Sequence, residues 1–424
     1  MVMSMVLATA ASEFHRSRLL SEHVSVDDLS DVEGRSHYGK ALSGLREVLK
    51  QEVKSPEQIE AIFITLWLMG DYENRFGSGS AGINVHIKGI TSLLFNHIMP
   101  LLKPRQQGPP PAISMGESSA KDHPTEGLES QPATSATEKP DGKLRYTSVP
   151  LFLLWTLYLF NPGTIFYGPG CANANIGLLR LFLCAEPGGT NLSLPELYRI
   201  SRQSPSHFWG DGYPATAHLD DLENLPGLGL YHRSHVTQFR ITELYRQHSF
   251  SDVGVQSPFQ QIVDEISAIA KEFDILLSFA KAAPSYEIAG EGRRVMETVY
   301  WSSMNYYSTI VYFHLCFMDV LKEQPQCLPP QILSLDEAAS LVLELALKLH
   351  RSRPRAMIRT FWPLFIAGIA TRDQIYKDWV STRLRELTRY GQNYGRVSDR
   401  FDEITQGHDS FAYARKYLST LHQN

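Results

Sequence analysis

Potential metal ligands and acid–base groups are concentrated between residues 207 and 235 of this chain. Imidazole and carboxylate side chains bind zinc and related metals, and they transfer protons near neutral pH. His232 and His235 are three residues apart, so a helix would place both on one face. With Asp220 or Asp221 they could form a metal site or act as general base and acid. The whole cluster comprises His207, Asp211, His218, Asp220, Asp221, Glu223, His232 and His235.

An aromatic-rich segment offers a second kind of candidate site. Its apolar residues fall on more than one helical face, which predicts a central helix over Arg293 to Leu321. Such a helix either forms plain core or lines a small-molecule pocket with its rings. The pocket candidates are Tyr300, Trp301 and Tyr307.

The elements that would position both sites are predicted to be helical. Apolar residues recur three and four positions apart in segment after segment, and convincing strand hairpins are lacking. Two segments carry the capping pattern of a helix start, Ser55-Pro56-Glu57-Gln58 and Ser334-Leu335-Asp336-Glu337. These patterns predict an all-α fold of about a dozen helices.

The histidines and aspartates also have a structural interpretation. Ser206 to Pro226 is predicted to be loop-like because Gly, Asp and Pro are frequent there, and Leu228 to Gln247 is predicted to be helical. Asp220 and Asp221 would then cap the helix toward Leu230. The histidines would be surface residues or hydrogen-bonded core residues.

Three further segments complete the predicted organisation. Ser257 to Ala280 is predicted to be one helix opened by a Ser-Pro start, and Phe411 to Leu421 a last amphipathic stretch. Residues 103–142 are rich in Pro, Gly, Ser, Gln and charge and have almost no large apolar residues. Such a segment cannot bury enough surface to offset its ordering entropy. We predict a disordered insertion within one domain spanning residues 1–424, dispensable for folding.

Composition and charge exclude several classes of function. The chain is 43% hydrophobic and 20% charged, as is ordinary for a globular protein. Its formal net charge of -5 provides no overall field to hold nucleic acid. No segment reaches the ~20 consecutive apolar residues of a membrane helix. We therefore predict no membrane association and no direct DNA binding by this chain alone.

The cysteines do not form a zinc motif. The four residues are Cys171, Cys184, Cys316 and Cys327, none of them in a C-x2-C pair. A binuclear zinc cluster needs six closely spaced cysteines. Four scattered cysteines in so long a chain are typical of buried free thiols in a reducing compartment.

The most specific pattern in the chain is the segment Phe361-Trp362-Pro363-Leu364-Phe365-Ile366-Ala367-Gly368. Pro363 is tolerated near a helix start because its missing N–H would be unpaired there anyway. The large apolar side chains would contribute several kcal/mol if buried. The residues therefore predict a core element.

This segment resembles the C-terminal signature of the fungal-specific transcription factor domain, in the second of its two common families. That domain is a large all-helical regulatory region that usually follows a zinc cluster. The sequence shows neither that cluster nor the usual coiled-coil linker, and it carries the polar insertion. Other blocks that resemble the family, in the same order, are Leu7 to Ser12, Tyr38 to Leu42 with Leu45-Arg46, Glu73 with His86-Ile87-Lys88-Gly89, Phe208-Trp209-Gly210, Tyr213-Pro214, Asp220 to Asn224, and Leu230-Tyr231-His232.

The resemblance implies structural roles for the matching residues. It favours the structural interpretation of the histidines and aspartates, so we predict no catalytic, cofactor-binding or metal-binding residues. The family-marker residues expected to be structural are Trp209, Gly210, Tyr213, Pro214, Trp362, Pro363, Phe365 and Gly368.

The resemblance also implies a function. It predicts a transcriptional regulator that acts in the nucleus, with the cytoplasm as a second location, and is not an enzyme. Such domains are common in control of fungal secondary-metabolite gene clusters. Its partners would be the transcription machinery or a DNA-binding regulator, with a small-molecule effector as a further candidate. The alternatives are a metabolite-binding or metabolite-converting enzyme on a repurposed domain, or a helical interaction scaffold.

Overall fold

The chain is helical throughout the part that can be described. In the computed structural model the described residues are 1–22, 31–51, 55–77, 80–98, 147–158, 178, 180, 182–183, 193–247, 256–283, 294–323 and 328–407. They contain no strand, which confirms the predicted all-α fold. The predicted insertion at 103–142 and the predicted helix from Phe411 to Leu421 lie outside them.

Fifteen α-helices are present in the described part of the chain, close to the dozen predicted. Three 3-10 segments (Gly210–Gly212, Pro354–Thr360 and Leu387–Tyr390) and a π-helical turn (Leu94–Ile98) extend them. The α-helices are α1 (Val2–Glu22), α2 (Val32–Leu49), α3 (Pro56–Phe76), α4 (Ser80–Leu93), α5 (Val149–Tyr158), α6 (Leu194–Trp209), α7 (Ala215–Gln247), α8 (Gln256–Glu272), α9 (Asp274–Ala282), α10 (Arg294–Cys316), α11 (Met318–Glu323), α12 (Leu335–Ser352), α13 (Phe361–Ala370), α14 (Gln374–Glu386) and α15 (Gln392–Gln406).

Local capping fixes the starts of several helices. Both predicted capping boxes are formed: Ser55 and Gln58 open α3, and Ser334 and Glu337 open α12, each pair exchanging side-chain and backbone hydrogen bonds. Asp373 caps α14 by accepting from the Ile375 backbone N–H. These caps satisfy N–H groups that the helix itself leaves unpaired.

The core is built around α10. From Thr298 to Phe317, only His314 is not fully buried. The helix packs most extensively against α7 and α12, and also against α13. The prediction of a central aromatic helix is therefore confirmed, although it ends at Cys316 and α11 begins after Phe317.

The predicted loop from Ser206 to Pro226 is wrong. Helix α6 continues to Trp209, and after a short 3-10 turn α7 begins at Ala215 and runs through Pro226. The Pro214 carbonyl accepts hydrogen bonds from the backbone N–H groups of Ala217 and His218 in the first turn of α7. Proline is suited to such a start, and one proline inside a long helix removes a single hydrogen bond that tertiary packing can offset.

Two other segments differ from the prediction. The helix predicted from Ser257 to Ala280 is divided at Phe273 into α8 and α9. Helix α15 was not predicted at all. It buries Val397, Phe401 and Ile404 on one side of an otherwise polar segment.

Candidate functional site

His232 lies in the protein interior, between three helices. It is buried on α7, and its Nδ1 lies 2.7 Å from the hydroxyl oxygen of Tyr158 on α5. Its ring stacks on Tyr198 of α6, with centroids 4.3 Å apart and planes 18° from parallel. The imidazole therefore has both a hydrogen-bonding partner and an aromatic partner from neighbouring helices.

His235 lies one turn further along the same face and is also buried. Its ring contacts those of Tyr158 and Tyr231, with centroid separations of 5.1 and 4.7 Å. Its Nδ1 lies 3.5 Å from the side-chain nitrogen of Asn305 on α10. The two histidines therefore share one face of α7, and that face points into the core.

The buried polar contacts continue along the α7–α10 interface. Gln238 donates to Asn305 Oδ1 and Thr309 Oγ1, at 3.2 and 2.9 Å. Thr242 and Tyr312 are joined by hydroxyl oxygens 3.0 Å apart. We call this set the polar seam: His232, His235, Gln238 and Thr242 of α7 with Asn305, Thr309 and Tyr312 of α10.

Sequence reasoning identified the two histidines of the polar seam as candidates and missed its other members. A signal was present, because Gln238 and Thr242 follow His232 and His235 at intervals of three and four. A buried polar network of this kind fixes how two helices align, because a shift would leave buried groups without partners. The geometry of the polar seam therefore indicates a structural role.

Burial sets the protonation states of His232 and of its neighbour Tyr231. It lowers the pKa of His232 to about 3, with smaller contributions from His235, Arg202 and Arg233. Burial also raises the pKa of the Tyr231 hydroxyl to about 12, against a lowering effect of Arg359. His232 is therefore neutral at physiological pH, which suits a residue held by Tyr158 and packed on Tyr198.

The depressed pKa of His232 predicts that the folded state loses stability in acid. In the unfolded chain this histidine has a pKa near 6.5, so below that pH it binds a proton that the folded chain excludes. The part of the folding stability that depends on a neutral His232 is therefore complete above pH 6.5 and is lost as the pH falls toward 3. Between pH 7 and pH 5 the loss should be about 2 kcal/mol. In the variant His232→Gln, the free energy of unfolding should fall less between pH 7 and pH 5, by that amount. Urea titration of both proteins at the two pH values gives the measurement.

The exposed His218 gives a matched control for this measurement. His218→Gln makes the same side-chain change at an exposed position at the start of α7, outside the polar seam. An unchanged difference between the two pH values in His232→Gln would show instead that His232 is protonated in the folded protein.

The predicted acidic residues do not join the histidines. Asp220 and Asp221 lie inside α7 and do not cap it. They are eleven or twelve residues before His232, which is ~17 Å along a helix. The metal site considered from Asp220 or Asp221 with His232 and His235 is therefore not formed.

The first turns of α7 form a separate surface. The Tyr213 hydroxyl donates to Asp221, and the Tyr213 ring meets His218 edge-on at 4.5 Å between centroids. Burial, and then the hydrogen bond to Asp221, raise the pKa of Tyr213 to about 12. Asp211 and Glu223 are exposed. His207 lies on α6, and its side chain is outside the described set.

The described residues contain no cluster of three or more His, Cys, Asp or Glu side chains that could hold a metal ion. Cys316 is a buried free thiol, and burial raises its pKa. The other cysteines, Cys171, Cys184 and Cys327, are not among the described residues.

In the part of the chain that can be described, no helix is long and apolar enough to span a membrane.

The three aromatic pocket candidates are all buried on α10. Trp301 meets Tyr231 edge-on at 4.8 Å between centroids, and the Arg359 guanidinium lies 5.6 Å from its ring. The Lys281 ammonium lies 5.5 Å from the centre of the Tyr307 ring. Tyr300 packs in the same core. These contacts place the three rings in a packed aromatic core around α10.

The C-terminal family-marker residues occupy the core. Helix α13 starts at Phe361, so Pro363 lies in its first turn, and Trp362 to Ala370 are all buried. A Cβ atom on Gly368 would lie 2.6 Å from the Phe401 ring and 2.9 Å from Val380. Glycine at this position therefore permits the close approach of α13 to α14 and α15.

The other marker residues surround the turn between α6 and α7. Gly210 has φ of +52°, a conformation that side-chain-bearing residues rarely adopt. Tyr213 and Pro214 fix the first turn of α7 through Asp221 and the Pro214 carbonyl. Trp209 is 61% exposed, so its side chain contributes little to the core.

One family model matches the C-terminal part of the chain. Residues 227–404, which include the polar seam and α13, match the family model described as the fungal specific transcription factor domain. No curated protein sequence and no solved structure matches the chain. The C-terminal part of the chain is therefore similar to the fungal specific transcription factor domain over residues 227–404.

Proposed function

We propose that this protein regulates transcription in the nucleus through protein contacts and that its targets are genes of a fungal secondary-metabolite cluster. The observation that carries the proposal is the match of residues 227–404 to the fungal specific transcription factor domain, which supports a regulatory role in general. The proposed partners are components of the transcription machinery or a DNA-binding regulator. DNA contact through such a partner is consistent with a net charge of -5 and four scattered cysteines.

We further propose that the helices before residue 227 form one domain with the matched region. Arg75 of α3 donates to the Tyr390 carbonyl, with Nε 3.1 Å and Nη2 2.9 Å from the oxygen. Arg16 of α1 donates to the Thr388 carbonyl at 2.9 Å. Asn393 of α15 donates to the Glu73 carbonyl at 3.1 Å. These contacts join the two ends of the described chain.

The site geometry favours a regulator over an enzyme. The groups considered for acid–base chemistry do not converge, because His232 and His235 are buried in the polar seam while Asp220 and Asp221 lie at the start of α7. His232 is hydrogen-bonded, stacked and neutral. A non-catalytic regulator also accords with the matched family.

A small-molecule effector that contacts α7 and α10 is part of the proposal. Several buried polar atoms of these two helices have no hydrogen-bonding partner among the described residues, namely Trp301 Nε1, Ser303 Oγ, Tyr307 Oη and Gln238 Oε1. Unsatisfied buried polar groups are costly. A ligand with both donors and acceptors would complement them.

A tethering experiment tests the regulatory role. Fused to a heterologous DNA-binding domain, the full chain should change transcription of a reporter that carries the matching operator, whereas the unfused chain should not. The operator-bound fusion brings any recruited partner to the promoter, so a contact with the transcription machinery is sufficient for a signal. Reporter transcript is measured by quantitative PCR.

The control fusion carries Trp362→Ala, which should unfold the domain and abolish the effect. A folded, nuclear, operator-bound fusion that leaves the reporter unchanged would refute the regulatory role. The target class is tested separately by deleting the gene and measuring transcripts across the genome. Unchanged secondary-metabolite cluster transcripts under conditions where those clusters are expressed would refute that part of the proposal.

A further inference from the structure

Positive charge is concentrated in the C-terminal part of the described chain. Residues 351–400 contain eleven Lys and Arg residues but only four Asp and Glu residues, which gives this segment a formal charge of +7. The whole chain has a formal charge of -5, so its other residues together carry -12. A local surface of one sign attracts oppositely charged partners even when the net charge of the chain has the other sign.

The fold gathers part of this charge around two 3-10 segments, Pro354–Thr360 and Leu387–Tyr390, which pack against each other. Arg355 lies in the first segment and Arg389 in the second, while Arg351 lies in the last turn of α12, just before the first segment. All three side chains are exposed, and none of them has an acidic partner among the described residues. Their charges are therefore available to a ligand.

Arg383 of α14 joins this surface through His350 of α12. Its Nη1 lies 2.6 Å from His350 Nε2, and its Nη2 pairs with Glu386 at 3.0 Å. Burial lowers the pKa of His350, and the charges of Arg383 and Arg389 lower it further, against the effect of Glu386. Both arginines therefore lie close to the same imidazole. We call the resulting surface the basic face: Arg351, Arg355, Arg383 and Arg389.

An apolar strip on α14 adjoins the basic face. Ile375, Trp379 and Arg383 follow one another at intervals of four residues, so they share one side of the helix. Ile375 is 78% exposed, and Trp379 is half-buried. The Arg383 guanidinium lies 5.8 Å from the centre of the Trp379 ring, and His350 meets that ring edge-on at 6.1 Å between centroids. Positive charge and apolar surface are therefore adjacent here.

We propose that the basic face, together with Ile375 and Trp379, binds an acidic segment of a partner protein in which carboxylates alternate with large apolar side chains. Arginine suits this role because its planar guanidinium pairs with a carboxylate through two parallel hydrogen bonds. The apolar side chains of the partner would cover Ile375 and Trp379. This inference rests on the proposed function and names the class of partner for its protein contacts.

Two features favour a protein segment over nucleic acid. The phosphate backbone, which dominates the affinity of proteins for nucleic acid, has no apolar groups to cover Ile375 and Trp379. A duplex would also extend past the basic face along a molecule whose residues outside 351–400 carry -12, where its phosphates would be repelled. A short acidic segment can end within the basic face.

Fluorescence anisotropy with purified components tests the binding. The probe is a short labelled peptide in which Asp and Glu alternate with Phe and Leu. It should bind the full chain at low salt and more weakly at high salt, because salt screens exposed charges. A peptide with Asn and Gln in place of the acidic residues should not bind. Failure of the acidic peptide to bind, or tighter binding of a labelled DNA duplex, would overturn the proposal.

The double variant Arg355→Glu, Arg389→Glu should weaken binding of the acidic peptide by about tenfold or more, because each reversal replaces an attraction with a repulsion. Both side chains are exposed, so the chain should keep its fold, which circular dichroism would verify. The matched control Lys40→Glu, Arg46→Glu changes the net charge equally at exposed positions of α2 and should bind like the wild type.

The apolar strip is tested by Ile375→Ser, which leaves every charge in place and should also weaken binding of the acidic peptide. Wild-type affinity in the Arg355, Arg389 double variant, or an equal loss in the α2 control, would overturn the assignment of the basic face. Loss of peptide binding with an intact reporter response of the tethered chain would refute this inference alone, so the two proposals fail separately.

Discussion

Replacing Trp362 with alanine is expected to lower the free energy of unfolding by about 3–5 kcal/mol, the usual range for emptying a buried aromatic site. Trp362 is 2% exposed. Its ring meets Tyr312 of α10 edge-on at 5.6 Å between centroids and stacks with Phe365 at 6.5 Å. The substitution thus removes contacts between α13 and the central helix. A domain has only about 5–15 kcal/mol of stability, so the variant should be largely unfolded or poorly soluble.

Trp209 supplies a control with the same residue type. Trp209 is 61% exposed, so Trp209→Ala should cost no more than about 1 kcal/mol. Urea titration followed by circular dichroism measures both variants. If Trp362→Ala keeps wild-type stability and loses only partner binding, the α13 segment is an interaction surface and its assignment to the core is wrong.

The structure could be predicted from the sequence where neighbouring residues determine a helix start and where the composition of a helix requires its burial. The capping boxes at Ser55 and Ser334 are determined by neighbouring residues, so they could be predicted without tertiary information. The buried Trp362 segment and α10 were predictable because apolar residues on most faces of a helix require a central position.

Prediction failed where distant parts of the chain decide the conformation. Glycines and prolines between Ser206 and Pro226 indicated a loop, yet Leu219, Leu222 and Leu225 already recurred at helical spacing on what became α7. Helix α15 buries Phe401 beneath Gly368, a contact between α13 and α15 that the polar composition of α15 does not reveal.

Distant residues also limited the prediction of the polar seam from the sequence. The sequence placed His232 and His235 on one face, but the face could equally have pointed to solvent. Tyr158, Tyr198 and Asn305 determine its environment, and they lie 74, 34 and 70 residues from the histidines that they contact. Only tertiary packing brings them together.

Replacing Arg75 with methionine should cost about 3 kcal/mol, the second large effect expected in this protein. Arg75 is 9% exposed, and its guanidinium holds the Tyr390 carbonyl through two hydrogen bonds, contacts Glu13 and lies 3.8 Å from Asp71. Burial already raises the pKa of Asp71, against the lowering effect of Arg75. Removing the guanidinium leaves that carboxylate without its partner charge and the Tyr390 carbonyl without its donor. The free energy of unfolding at pH 7 gives the measurement.

A surface pair and a double variant separate the causes of this loss. Arg385 pairs with Asp402 but is 63% exposed, so Arg385→Met should cost at most about 1 kcal/mol. Adding Asp71→Asn to Arg75→Met should recover part of the stability if the unpaired carboxylate is responsible. The loss of stability that remains in the double variant then measures the hydrogen bonds between Arg75 of α3 and the Tyr390 carbonyl. If Arg75→Met is no more damaging than Arg385→Met, Arg75 does not join the two ends of the chain, and the one-domain proposal loses its main support.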